Sequence, residues 1–434
     1  MLEEPILYYP LRAAQVAGFE DIAVVVGFEG EAVENWTKDN FPAAEIIWQP
    51  EQRGTGHAAK LAQGWWSDFE NVMILAGDAP LIKPETLSFF AERHAADGSA
   101  CSFLSFDLED PAGYGRVVRE GGRVRVVEHR DATERQRAVK EVNSGMYIFN
   151  TAALADVIDQ ISCANAQHEY YLPDALALIK SRGGRVEAVK ADHAEEFLGI
   201  NDQLQLAAAA RVMRDRIVTD LMMNKGLQCM DPSSLWIGPK VKIGRGVVIH
   251  PSVQLWGETL IEDEAFIGSF TVLRDAVVHA KANIKGFVRL NDSTMGPRAS
   301  AGPFAFMREH GELLENAHIG RFVEIKKSRV GAASKVPHLS YVGDAEIGDN
   351  TNIGAGTITC NYDGEKKNPT KIGRDCFIGS DTMLVAPVTL GDDVSTAAGS
   401  VITSDVPDGA LGVGRAKQTN IEGWSRRRRA KRKK

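Results

Sequence analysis

The chain has 434 residues, 44% of them hydrophobic and 25% charged, with Gly at 41 positions and aromatic residues at 7%. That is ordinary globular material for two or three domains, with no collagen-like or low-complexity bias. Five Cys without a C-x-x-C pair argue against a disulfide framework or zinc ribbon and for a reducing, cytoplasmic compartment; no apolar run is long enough to span a membrane. In chain order, Leu7–Ala17 reads as an amphipathic helix and Asp21–Gly27 as a buried β-branched strand. Glu29–Trp36 reads as a helix, Glu45–Trp48 as a strand, His57–Trp65 as a helix and Asn71–Ala76 as a second, fully apolar strand. Strands alternating with helices predict a Rossmann-like α/β domain with an open, mostly parallel sheet covered on both faces, over residues 1–200.

Asn201 or Asp202 caps a predicted helix running to about Met223, with Leu206, Ala210, Met213, Ile217 and Leu221 as one apolar stripe. It reads as a connecting strut over residues 201–227. The period then becomes six. Ile237, Ile243 and Ile249 are six apart, as are Ile261 and Ile267; Ile319 and Ile325; Val330, Val336 and Val342; Ile347 and Ile353; and Ile372, Ile378, Leu384 and Leu390. Gly follows many of them, as at Gly238, Gly244, Gly268, Gly320, Gly348, Gly354, Gly373, Gly379 and Gly391. A six-residue period fits neither helix nor flat strand. It predicts a parallel β-helix of three flat faces over residues 228–415, with aliphatics pointing inward and small residues at the corners. The register breaks over Cys360–Lys371, which predicts a loop of functional interest.

The net charge of −8 conceals a basic tail within residues 416–434. Arg426–Lys434 carries eight basic side chains and no acid, so removing that +8 leaves −16 for the body. Such a tail can bind nucleic acid or acidic surfaces, although a solvated, disordered terminus is the favoured reading.

Within the repeats, His250, His279, His310, His318 and His338 are scattered without the spacing of a three-imidazole zinc site. A polar crowd in the later coils and the loop suits acyl transfer better: Glu324, Lys326, Lys327, His338, Tyr341, Asn352, Asn361, Tyr362 and Lys367. A His with a reference pKa of about 6.5 can take a proton from an attacking amine. Lys and Arg can hold an anionic substrate, and Asn or backbone N–H groups can stabilise an oxyanion.

The stretches Gly320-Arg-Phe-Val-Glu-Ile-Lys-Lys327, His338-Leu-Ser-Tyr-Val-Gly-Asp344 and Asn352-Ile-Gly-Ala-Gly-Thr-Ile-Thr-Cys-Asn-Tyr-Asp-Gly364 closely resemble one family. It is the bacterial bifunctional N-acetylglucosamine-1-phosphate uridylyltransferase / glucosamine-1-phosphate N-acetyltransferase family, similar over Leu2–Trp424. The resemblance implies a left-handed β-helix that moves acetyl from acetyl-CoA to glucosamine 1-phosphate. It places His338 as proton acceptor, Arg308, Lys326, Tyr341 and Asn352 on the sugar phosphate, and Ala355, Asn361, Tyr362, Ser380, Ala398 and Arg415 on acetyl-CoA. It implies a homotrimer with this site between neighbouring β-helices. Arg308 is followed by Glu309 and His310, where the family usually has Pro-Gly.

For the first half, the resemblance places Gln49, Gly54 and Thr55 on the uracil of UTP, and Gly115, Glu128 and Asn143 on the sugar nucleotide. Ala76-Gly77-Asp78 ends an apolar strand, where α/β sheets bind ligands. Asp78 with Asn201 falls on the family's Mg2+ pair, whose oxygens suit a hard cation. The product, UDP-N-acetylglucosamine, implies a role in peptidoglycan and lipopolysaccharide synthesis. The family's opening strand, Gly-rich loop and following Lys have no counterpart after Met1-Leu-Glu-Glu-Pro. The expectation is therefore an N-terminally truncated first domain with impaired uridylyl transfer. Alternatives of narrower or different function are an acetyltransferase alone, or a non-catalytic trimeric scaffold whose tail recruits anionic partners.

Overall fold

The structure is a computed structural model that describes residues 1–120 and 123–432. The chain divides into two compact units, essentially Glu3–Val212 and Met213–Lys434.

The first unit begins with α1 (Tyr8–Val16), β1 (Ala23–Val26), α2 (Gly30–Asn40), β2 (Glu45–Trp48), α3 (Thr55–Leu61), α4 (Gln63–Trp66) and β3 (Asn71–Ile74). It continues with α5 (Pro84–Asp97), β4 (Cys101–Asp107), β5 (Arg116–Glu120), β6 (Arg123–Val127), α6 (Glu134–Arg137) and β7 (Glu141–Asn150). Then come α7 (Thr151–Ile158), α8 (Asp174–Ser181) and β8 (Val186–Lys190). Local chemistry sets several limits. Pro84 opens α5 with a φ already suited to the helix, and Gly98 closes it at φ 55° in the left-handed region.

The predicted strands and helices of residues 7–76 form within a few residues of their expected limits, but the sheet is not mostly parallel. β7 runs antiparallel to β3, β4 and β5, and only β4 with β8 is parallel in the six-stranded sheet. β1 and β2 pair in parallel as a separate two-stranded sheet. Alternating strand and helix patterns misled because β7 is buried on both faces, as a parallel strand would be. Phe103, Tyr147 and Phe149 pack on one side against Leu154 and Leu176, while Leu104, Phe106 and Ile148 pack on the other against Leu87 and Phe90. β3, expected to be fully apolar and buried, buries only Val72 fully.

The predicted strut is α9 (Gln203–Lys225), and the division between the two units falls inside it. Its buried face is displaced from the predicted stripe. Ala209, Arg214, Val218 and Leu221 are buried, while Leu206, Ala210, Met213 and Ile217 are only half-buried. Arg214 can be buried because its guanidinium stacks 5.0 Å from the Trp236 ring and donates to the Ser233 carbonyl at 2.8 Å.

The second unit is a prism of three parallel sheets with ten, nine and eleven short strands. These stacked strands agree with the expected left-handed β-helix. Every aliphatic of the six-residue series is buried, from Ile237 at 1% exposure to Leu390 at 1%. Leu273, Val278, Ile284, Leu290, Met295, Ala301, Met307 and Leu313 carry the prism through a stretch where the series had faded. There Leu273 pairs with Leu290, whereas further along Met307 pairs with Ile325, so the earlier coil is shorter by a single residue and the sequence register slips.

The glycines after the aliphatics do not make the corners, contrary to expectation. Left-handed φ values fall instead on residues such as Phe270, Asp275, Phe287, Phe304 and Phe322. The glycines sit where the next coil's backbone leaves no room for a side chain. A Cβ on Gly354 would lie 2.4 Å from the Ser380 nitrogen, and one on Gly320 would lie 1.9 Å from the Pro337 oxygen. The Cys360–Lys371 break is a loop between the strands Ile358–Cys360 and Thr370–Ile372.

The basic tail, expected to be irregular, forms α10 (Trp424–Arg432), solvent-exposed along its length, with Arg428 over the Trp424 ring at 5.1 Å. Among the described residues no helix is long and apolar enough to cross a membrane.

Gly320→Ala should cost about 1–3 kcal/mol through backbone overlap with Pro337. Thermal unfolding monitored by circular dichroism would check this; an unchanged midpoint would contradict the close approach.

Candidate functional site

Successive coils of one face carry the anion-binding candidates. Arg308 ends the strand Ala305–Arg308 and lies in register beside Lys326, which ends Val323–Lys326; Lys326 lies beside Gly343 of Tyr341–Gly343. The prism therefore stacks residues that are one coil apart in sequence. Arg308 donates to Glu324 at 2.8 Å and pairs directly with Glu309. Lys326 Nζ lies 3.3 Å from both Glu309 Oε2 and Asp344 Oδ2, with its side chain 11% exposed. Burial works against charge on Arg308 and Lys326, but their carboxylate contacts outweigh it and raise both pKa values.

Tyr341 belongs to the same cluster. Asn361 Nδ2 donates to Asp344 Oδ2 at 2.6 Å and to Tyr341 Oη at 3.4 Å. Gly343 keeps this corner open, since a Cβ there would fall 2.4 Å from Tyr341 Oη and 2.6 Å from Asn361 Nδ2. Asn361 thus joins the Lys326 group, whereas its neighbour Tyr362 is exposed, donates to the Gly364 carbonyl and is covered by Lys367 at 4.5 Å. An open groove of about 490 Å³ is lined by Phe304, Phe322, Glu324, Leu339, Tyr341 and Ile358, among others.

His338 ends the strand Lys335–His338 and is exposed, beside Arg321 of the preceding coil. Its carbonyl accepts from the Ser340 hydroxyl at 2.8 Å and from the Gly356 N–H at 3.4 Å, which sets Ala355 one coil beyond it. Asn352 is half-buried and in register with Lys335 of the His338 strand. The remaining expected positions form a ladder. Asp381 N–H donates to Ala355, Gly399 N–H to Ser380, and Arg415 Nη1 to Ala398, at 2.7, 2.8 and 2.8 Å.

In the first unit, the expected residues fall into three linked groups. Gln49 Nε2 donates to the Gly54 carbonyl at 3.2 Å and lies 3.1 Å from His57 Nδ1. Gly54 has φ 102°, and a Cβ there would strike the Tyr170 backbone at 2.7 Å, so only Gly suits this turn. Thr55 Oγ1 accepts from Leu172 N–H at 3.2 Å. Asn143 N–H donates to the Gly115 carbonyl at 2.8 Å, its Nδ2 donates to Tyr147 Oη at 2.5 Å, and its buried Oδ1 has no partner. A Cβ on Gly115 would lie 3.1 Å from Glu128 Oε1. Burial, then Asp131, Asp174 and Glu169, push the Glu128 pKa up. Asn143 and the half-buried Glu128 thus both lie against Gly115.

Ala76 and Gly77 lead to Asp78, which is exposed; its carbonyl accepts from Ile200 N–H at 3.0 Å, bringing Asn201 into the same turn region. Gly199 faces the carboxylate, where a Cβ would be 2.9 Å from Asp78 Oδ2. Among the described residues no three His, Cys, Asp or Glu side chains gather as a metal cage. One carboxylate and one amide fit magnesium, which takes much of its shell from water and phosphate.

Glu309, Asp344, Gly343, Tyr147 and Gly199 escaped the sequence reading as site residues. Asp344 and Gly343 lie within the motif His338–Asp344, and Glu309 stands where the resemblance after Arg308 breaks.

A mixed α/β domain with a nucleotide-type turn, followed by a β-helix bearing a stacked cationic cluster, defines a two-domain transferase. Residues 1–194 match the nucleotidyl transferase family and residues 369–404 the bacterial transferase hexapeptide (six repeats) family. The Bifunctional protein GlmU of Corynebacterium aurimucosum is 43% identical over 98% of this chain and 88% of its own length. Those of Streptomyces avermitilis and Heliobacterium modesticaldum are each 44% identical, over 96% and 95% of this chain and 88% and 90% of their own lengths. The chain belongs to the GlmU family of bifunctional enzymes. Because the match runs through both halves and nearly all of each relative, it does not support the expectation of a truncated first domain.

Glu128→Gln should stabilise the fold at neutral pH. A carboxyl with a raised folded pKa favours folding below its ordinary value near 4.3 and loses that contribution as pH rises through the folded value. Unfolding midpoints at pH 4 and pH 8 should show the variant gaining only at the higher pH; an equal gain at both would refute the burial effect.

Proposed function

We propose that the second unit transfers acetyl from acetyl-CoA to the amine of glucosamine 1-phosphate, and that the first then joins the product to UTP, releasing pyrophosphate and UDP-N-acetylglucosamine. The observation that carries this is Arg308 and Lys326 stacked on successive coils, with Tyr341 and the His338 strand on the next. Functionally, the chain divides into residues 1–200, 201–227, 228–415 and 416–434.

Arg308, Lys326, Tyr341 and Asn352 hold the sugar phosphate. His338 takes a proton from the amine as its nitrogen attacks the thioester carbonyl; the carbon–sulfur bond breaks and the coenzyme A thiolate leaves. Ala355, Asn361, Tyr362, Ser380, Ala398 and Arg415 line the acetyl-CoA path, and the backbone N–H groups of the corners suit the developing oxyanion. In the first unit, Gln49, Gly54 and Thr55 receive uracil, and Gly115, Glu128 and Asn143 receive the sugar. Ala76, Gly77 and Asp78 place the phosphates, with Asp78 and Asn201 as magnesium oxygens. Bound magnesium neutralises phosphate charge there. Five free cysteines support the cytoplasmic reading.

The functional unit is a homotrimer. Phe270, Phe287, Phe304 and Phe322 stack at 4.9, 4.9 and 5.3 Å as an exposed stripe that runs into the Tyr341 groove. A second copy laid on it covers apolar surface and closes the groove.

His338→Ala should lower acetyl transfer by about 10²–10⁴-fold while uridylyl transfer persists. Separate assays of the two half-reactions check this, and full acetyl transfer would defeat the reading. The paired change Phe304→Asp with Phe322→Asp should yield monomers in analytical ultracentrifugation; an intact trimer would remove the stripe from the interface.

A further inference from the structure

Glu309 and His310 take consecutive left-handed conformations, φ 52° and 61°, which residues with side chains adopt at a cost. The preceding coil holds this turn in place. His310 N–H donates to the Asp292 carbonyl at 2.7 Å, and its ring Nδ1 lies 2.9 Å from Asp292 Oδ2. So held, Glu309 reaches between the two cations, paired with Arg308 and 3.3 Å from Lys326 Nζ.

The local charge does not balance. Two cations, Arg308 and Lys326, face three carboxylates, Glu309, Glu324 and Asp344, leaving one negative charge in excess. A phosphate monoester adds up to two more. The three carboxylates are not equally replaceable. Asp344 is 11% exposed and fastened by Asn361, and Glu324 extends from a strand beside Arg308. Glu309 stands on the turn with its side chain 49% exposed and free to withdraw into water.

We propose that Glu309 is a resident anion that occupies the phosphate subsite of the acetyl-acceptor pocket in the free protein and competes with the incoming phosphate. It adds a negative charge beyond the two that Glu324 and Asp344 already supply, and it weakens binding of the phosphorylated sugar. Glu309 is thus an affinity-determining residue of this pocket. This rests on the sugar-phosphate role given to Arg308 and Lys326.

The test uses the full chain with Glu309→Ala and Glu309→Gln. Isothermal titration with inorganic phosphate should show a Kd about two- to fivefold lower in both variants, as loss of one exposed ionic competitor allows. The KM for glucosamine 1-phosphate should fall by a similar factor, with the gain shrinking in high salt. An unchanged or higher phosphate Kd in both variants overturns the proposal. A gain in Glu309→Ala alone also overturns it, because bulk rather than charge would then be responsible. If the wild-type chain fails to acetylate glucosamine 1-phosphate while the phosphate Kd still falls in both variants, the substrate assignment fails and the competing anion stands.

Discussion

The stacking of aliphatic side chains inside a narrow three-sided prism is the constraint on which the second unit depends. Each inward Ile, Val or Leu contributes about 1.5–3 kcal/mol on burial, and small Thr residues such as Thr359 and Thr396 take a few of the inward positions. Because the inward residue fixes where each strand starts, it also fixes which outward residues meet across coils. Arg308, Lys326 and Gly343 come together for that reason, each set one step from an inward aliphatic of its own strand. The backbone contributes the second half of the constraint. Coils approach so closely that positions such as Gly320 and Gly354 tolerate no side chain, and those close approaches lie beside His338 and Ser380.

The first unit solves a different problem. Its central strand is buried on both faces, so polar groups within it need internal partners. Asn143 finds one for its nitrogen in Tyr147 and none for its oxygen, and the nearby Glu128 is held in a site that disfavours its charge. Burying both groups carries a cost. The two units therefore prepare their sites by opposite means. One buries an amide oxygen and a carboxyl at a cost, and the other sets three carboxylates around two cations.

The sequence made legible whatever depends on period. The six-residue series located the prism and the interruption at Cys360, and the long motifs located His338, Lys326 and Asn352. It faded between Leu273 and Leu313, where coils shorten and Met or Ala replaces the branched aliphatics. Strand direction in the first unit was not legible, because burial on both faces leaves the same apolar pattern whichever way neighbours run. The displaced face of α9 was hidden for a further reason. Arg214 is polar by type, yet its stem and planar head pack on Trp236 like an aromatic. The carboxylates around Arg308 and Lys326 come from three coils, and no pattern along one stretch of chain announces a pairing across three.

The coil length has a consequence for how the protein forms. Each new strand docks on the one a single coil earlier, as Leu290 does on Leu273, so the solenoid's contacts are close in sequence despite its many strands. A parallel sheet is usually slow to assemble because distant segments must find one another. Here assembly can propagate coil by coil from any nucleus. The excursion after Cys360 lengthens one such step, the one that joins Ile347 to Ile372. Loop-closure entropy makes that a penalty of only about a few tenths of a kcal/mol. The chain thus carries the loop after Cys360 at little cost to its own winding.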